Sequence, residues 1–136
     1  MIPYQYVVLR VVPRVDREEF VNVGIVVFAD AIDYLDAAFH LDQGRLAALD
    51  PGLDLASVEA SLQTICDVCR GLTGRGRPDL PTPGRRFGWL AAPRSTVVQP
   101  GPRHGGLTDD PSVALAGLVE RLVQPPAPRT TAGVSA

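Results

Sequence analysis

Glu19-Phe-Val-Asn-Val-Gly-Ile-Val-Val-Phe28 is nearly all apolar and rich in β-branched residues, and it holds the only asparagine of the chain, Asn22. Strict alternation along an extended strand puts Val21, Val23, Ile25 and Val27 on one face and Asn22, Gly24, Val26 and Phe28 on the other. A run apolar on both faces predicts a central strand covered on both sides. Asn22 is then expected to be buried and fully hydrogen-bonded, because an unpaired buried amide costs about 1–3 kcal/mol. Gly24 marks a place where backbone or ligand comes close.

Working outward, Tyr4 to Val12 is β-branched and aromatic and predicts a strand that ends at Pro13. Its single charge, Arg10, is expected to meet the acids between Asp16 and Glu19. Asp16-Arg-Glu-Glu19 reads as one helical turn or a wide loop, and Asp30 to Asp33 as a short turn into a third strand, Tyr34 to His40. The period then lengthens. Asp42 caps a short helix through Leu49, and Asp54 caps a longer one with Val58, Leu62, Ile65, Cys69 and Leu72 on one face. Thr73 to Arg86 is Gly, Pro and Arg with hardly an apolar residue and predicts a surface loop, re-anchored by Phe87 to Leu90. Arg94 to Gln99 reads as a fourth strand, and Gly101 to Gly106 as a turn-rich connection. Asp110 and Pro111 open a last helix. Together these elements predict an α+β fold: an antiparallel sheet of about four strands with two to three helices packed against it. One domain spans residues 1–124, and a Pro/Ala/Thr-rich tail, 125–136, is expected to be disordered.

The 136 residues carry 13 arginines against 15 acids and no lysine. That excludes a Walker-type phosphate lysine, a Schiff-base lysine and a kinase-type lysine. Charge is unevenly placed. Between residues 16 and 67 eleven acids face only Arg17 and Arg45, a sum of −9; between 70 and 103 seven arginines face only Asp79, a sum of +6. Such asymmetry makes either an anion-facing surface or two halves that attract each other. The two cysteines, the lack of a signal-peptide layout and the lack of any apolar run near 18 residues lead to the expectation of a cytoplasmic protein without a membrane partner.

Cys66-Asp-Val-Cys69 has redox or zinc-ligand spacing, yet it falls inside a helical pattern and has no second pair, so structural thiols are expected. Ser95, His104, Asp109 and Asp110 contain the residue types of a hydrolytic triad, but the serine lacks a nucleophile elbow and capping already accounts for the acids. His40, His104 and the acids show no metal-ligand spacing, and neither metal nor cofactor is expected. The best candidate site is Arg94-Ser95-Thr96, with Arg103, His104 and Asn22 as further binding residues. There Arg supplies a bidentate fork, the hydroxyls donate, and Gly105-Gly106 lets backbone N–H groups approach an anion. The alternative is that Arg94 pairs internally with an acid such as Glu19. Arg75, Arg77, Arg85 and Arg86 form a candidate partner surface. The acidic balance, with a pI near 5.6, argues against nucleic acid.

Arg17-Glu-Glu-Phe-Val-Asn-Val-Gly24 and Ala92-Pro-Arg-Ser-Thr-Val97, with a looser piece from His104 to Pro111, resemble the bacterial DUF3037 family, and the resemblance runs from about Tyr4 to Val123. Genes of that family often stand beside those for HipA-like serine/threonine kinases. The resemblance therefore implies a non-catalytic accessory or regulatory partner of such a kinase. The alternative class is a small phosphate- or nucleotide-binding module, or an enzyme, centred on Arg94-Ser95-Thr96 and His104.

Overall fold

The computed structural model of the chain describes residues 1–126. The organising stretch forms strand β2, Val21–Ala29, between β1, Ile2–Val11, and β3, Tyr34–Phe39, all antiparallel. The free edge of β1 carries two short strands: β4, Val98–Pro100, opposite Leu9 to Val11, and β5, His104–Thr108, opposite Ile2 to Tyr6. The order is thus β3-β2-β1, with β4 and β5 sharing the last position. The fourth strand foreseen in the sequence is displaced and broken. Arg94 to Val97 stay outside it, and half of the supposed turn after Gly101 is β5. The break is a bulge: Gly101, Pro102 and Arg103 stand opposite only Val7 and Val8 of β1. Pro102 has no N–H to give the ladder there.

A second bulge changes the reading of β2. Leu9 faces Gly24 but Arg10 faces Asn22, so Val23 is the extra residue. Strict alternation therefore fails at the point where it was to sort the strand. Val21, Val23, Val26 and Phe28 turn to one side of the sheet, and Ile25 and Val27 to the other. Asn22 moves to the second side and is only half-buried, where its Nδ2 donates to the carbonyl of Leu122 at 3.1 Å. The expected buried, fully bonded amide is replaced by a single tether to the C-terminal segment. Asn22→Val is accordingly expected to cost about 0.5–1.5 kcal/mol, measured by urea unfolding, with Asn22→Asp worse because it sets a carboxylate against that carbonyl.

Helices cover both faces. On the first lie α1, Gln43–Leu49, and α2, Leu55–Cys69, which start at Asp42 and Asp54, whose carboxylates accept from Arg45 N at 3.0 Å and Ser57 N at 3.1 Å. With them lies α3, Pro83–Ala91, at the end of what reads as loop. Thr82 caps it, its hydroxyl accepting from Arg85 N, and Pro83 takes the first turn. Leu46, Val58, Leu62, Ile65, Phe87 and Leu90 meet Val7, Leu9, Val26 and Phe28 in the main core. On the second face α4, Pro111–Leu118, runs on into a π-helical turn, Val119–Val123. Leu115, Leu118 and Val123 close over Ile25 and Val27. The tail expected to be disordered lies, from residue 127 on, outside the described residues.

Tyr34, the first residue of β3, packs on the α4 side of the sheet. Burial, then Asp36 and Asp110, push its phenol up to about 12. An acid whose folded pKa exceeds its unfolded value near 10 holds more protons folded than unfolded between the two. Stability contributed by this group is therefore intact below about pH 10 and lost as pH rises towards 12. Ultraviolet titration is expected to show one of the three tyrosines ionising late, a phase that Tyr34→Phe removes.

Candidate functional site

After α3 the chain turns at Ala92-Pro93 and passes back over α2 before entering β4, where Val12 N donates to Val97 O at 2.7 Å. Arg94 to Val97 and the exposed flank of α2 enclose a two-lobed cleft. The larger lobe, about 390 Å³, is walled by Asp54, Ser57 and Ser61 on the helix and by Ser95 and Thr96 across from it, over Val58 and Val98. The smaller, about 190 Å³, adds Thr64, Ile65, Trp89 and Arg94, and shares Ser61, Thr96 and Val98 with the first. Ser57, Ser61 and Thr64 follow one another at helical spacing, which places three hydroxyls along one wall. The combined space is in the range of small-ligand clefts.

Among the described residues, Arg94 is the only cation in the cleft wall. Its guanidinium lies over the Trp89 ring, 4.5 Å from the centroid, and donates to the Trp89 carbonyl. Burial lowers its pKa from the ordinary arginine value, though far too little to discharge a guanidinium. The pairing with Glu19 weighed in the sequence does not occur: Glu19 pairs with Arg17, and no described acid lies within ion-pair distance of Arg94. Thr96 is exposed, and its hydroxyl donates to Val98 O at 2.7 Å. Ser95 stays exposed on the rim.

The other proposed binding residues are elsewhere. His104 pairs with Tyr6 across the β1–β5 ladder and stacks on its ring at 5.1 Å. Tyr6 belongs to the α4 side of the sheet, so His104 and the Arg94 cleft are on opposite faces. Ser95 and His104 are therefore not brought together, and Asp110 is committed to α4, accepting from Ser112 N and Oγ, which lowers its pKa. Asn22 shares the face of His104 but bonds Leu122. Arg103 turns to the first face and stacks on Phe87, 5.2 Å from the ring centroid.

The arginine surface divides too. Arg77 reaches into the protein, donating from Nε and Nη2 to the carboxylate of Asp67, a residue only 7% exposed at the end of α2. Hydrogen bonds from Gln63 and Arg77 hold that carboxyl below its ordinary pKa. Arg86 lies across Gly71 and donates to Leu80 O at 3.0 Å. Arg75 and Arg85 remain exposed. Arg10 does not meet the acids expected for it; its guanidinium covers the Phe20 ring at 4.1 Å. Cys66 and Cys69 are buried free thiols, and burial pushes both pKa values up, away from thiolate chemistry. The signal for the cleft was present in Ser57, Ser61 and Thr64, but polar residues at helical spacing read as a solvated face until a second segment is known to cross them.

Fold and cleft together define an α+β domain with one arginine-and-hydroxyl groove and no assembled triad among its described residues. The model of the DUF3037 family, described as a protein of unknown function, matches residues 6–123, and the chain belongs to that family. No curated protein and no solved structure matches it. No helix among the described residues is long and apolar enough to cross a membrane.

Proposed function

We propose that the chain is a non-catalytic binding partner of a HipA-like serine/threonine kinase, and that the Arg94 cleft receives an anionic side chain of that partner. The observation that carries the reading is Arg94 itself: a half-buried guanidinium without a carboxylate among the described residues, held over Trp89 in the wall of a hydroxyl-lined groove. A bidentate fork fixed in this way has already lost much of its rotamer freedom, so less is given up on binding a carboxylate or phosphoryl group. The separation of Ser95 from His104 supports binding over hydrolysis. The kinase as partner rests on the family resemblance.

Affinity purification from the native host is expected to recover a HipA-like kinase in a complex that survives gel filtration. Arg94→Ala is expected to weaken that complex tenfold or more, by about the usual effect of truncating an arginine anchor. Arg75→Ala with Arg85→Ala tests the flanking surface without disturbing the fold. Arg86 is unsuited to that purpose, since its loss frees the Leu80 carbonyl. Recovery of no kinase by an intact bait would sink the reading.

A second reading, a small phosphorylated ligand or nucleotide in the same cleft, is favoured by the size of the larger lobe and its row of hydroxyls. It predicts a melting temperature that rises with one member of a panel of phosphorylated metabolites, equivalent to about 2.7 kcal/mol at a hundredfold excess over Kd. Arg94→Ala should abolish that rise.

A further inference from the structure

We propose that β5 is a self-pairing edge through which two copies of this chain join their sheets, antiparallel and about a two-fold axis at Gly106. β5 ends the sheet, and no described element covers its outer side. Proteins usually guard such an edge with charge, proline or a bulge inside the strand. β4 is guarded in this way, by Pro100, Pro102 and the bulge that follows. His104-Gly-Gly-Leu-Thr108 has none of these, and its Leu107 is 60% exposed.

The register follows from the backbone. Val8 O accepts from Gly101 N, so the even-numbered residues of β1 turn their polar groups towards β4 and β5. Pro3, opposite Leu107, has no N–H and agrees with that phase. Tyr4 and Tyr6 then bond Gly106 and His104, which leaves the N–H and C=O groups of Gly105 and Leu107 pointing out of the sheet. An antiparallel copy satisfies all of them when Gly105 faces Leu107 of the second chain and Leu107 faces its Gly105. The two Gly106 residues meet at the centre.

Two independent features fit this one register. Each exposed Leu107 side chain comes to lie over the bare backbone of the opposing Gly105, which offers no Cβ to obstruct it. Just beyond the strand ends, the same register brings Arg103 of each copy, whose guanidinium lies over Phe87 at the sheet edge, level with Asp109 of the other. Opposite charges directly across an antiparallel pair are stabilising, and both pairs form twice because the contact is isologous. A slip of two residues in either direction loses the Arg103–Asp109 match. Gly106 also has a reason to be small before any partner arrives, since the Tyr4 ring lies where its Cβ would be, at 2.6 Å.

The test is the mass of the full chain in solution, by sedimentation velocity and native mass spectrometry across a dilution series. The expected result is a reversible dimer of twice 14.5 kDa. Leu107→Pro removes an outward N–H on an edge strand, where proline is tolerated, and is expected to give a folded monomer. Arg103→Asp is expected to raise the dimer Kd about tenfold or more, and Arg103→Asp with Asp109→Arg to restore it. That charge exchange keeps the proposal testable should Leu107→Pro fail to fold. A wild-type chain that stays monomeric throughout overturns the proposal, including the case in which the edge serves a strand from another protein. So does a dimer indifferent to these substitutions, or one that the exchange does not rescue. None of these results bears on the Arg94 cleft, whose lining includes no residue of β5.

Discussion

Phe87→Ala is expected to destabilise the domain by about 3–5 kcal/mol and to lower Tm by roughly 10–20 °C, more than any surface change described above. Phe87 is 1% exposed and stacks on Phe28, with centroids 5.1 Å apart and planes at 24°, while Arg103 covers it from the edge of the sheet. One ring therefore fastens α3 to β2 and closes the core over the β4–β5 break. Deleting it removes transfer energy and leaves a cavity between a helix and a sheet that cannot collapse onto each other without moving both. A domain of this size has about 5–15 kcal/mol in total, so the variant is expected to be partly unfolded at growth temperature. Urea unfolding measures the loss. Val113→Ala, at a position 65% exposed, serves as the neutral control, within about 0.5 kcal/mol of the parent. A Phe87→Ala protein as stable as that control would mean that α3 does not pack as described.

The sequence carried the periodic elements and hid the irregular ones. The first three strands, the Asp42 and Asp54 caps and the Asp110-Pro111 helix start are readable because local chemistry and hydrophobic period agree there. Helix α3 was obscured by Gly84 and Gly88, poor helix formers that prolong the Gly/Pro composition of the preceding loop, although Thr82-Pro83 is a proper cap and first turn. The two bulges were out of reach, since an extra residue at Val23 or at Gly101 to Arg103 leaves no mark on an apolar run or a Gly-Pro pair. Their consequence is functional. The β2 bulge turned Asn22 away from the Arg94 side, while ordinary alternation along the chain sends the adjacent Arg103 and His104 to opposite faces. The contact of Arg94 with Trp89 was not legible, because Trp89 lies on a helix that was read as the end of a loop.

Gly24→Val is the other change expected to be severe, and it tests the role of the stretch from which the fold was read. A Cβ built on Gly24 would stand 3.0 Å from the Ala38 carbonyl oxygen and 3.2 Å from both Leu9 Cδ1 and Phe39 Cβ. The close approach foreseen at this glycine is therefore backbone from the neighbouring strand, met at the bulge where β2 also turns. The carbonyl is fixed by the β2–β3 ladder and cannot rotate away as a side chain tip would. Gly24→Ala is expected to cost about 1–3 kcal/mol by overpacking, and Gly24→Val more, since its branches meet Leu9 and Phe39 as well. The comparison that gives these values meaning is Gly117→Ala. Gly117 lies in α4 with open space where its Cβ would go, and there the same added methyl is expected to stabilise by about 0.5–1 kcal/mol through helix propensity. Opposite signs for one methyl group at two glycines, read in the same urea titration, would establish that contact with Ala38 rather than chain entropy sets the requirement at Gly24. Equal signs would show that β2 and β3 do not approach as closely as the register places them.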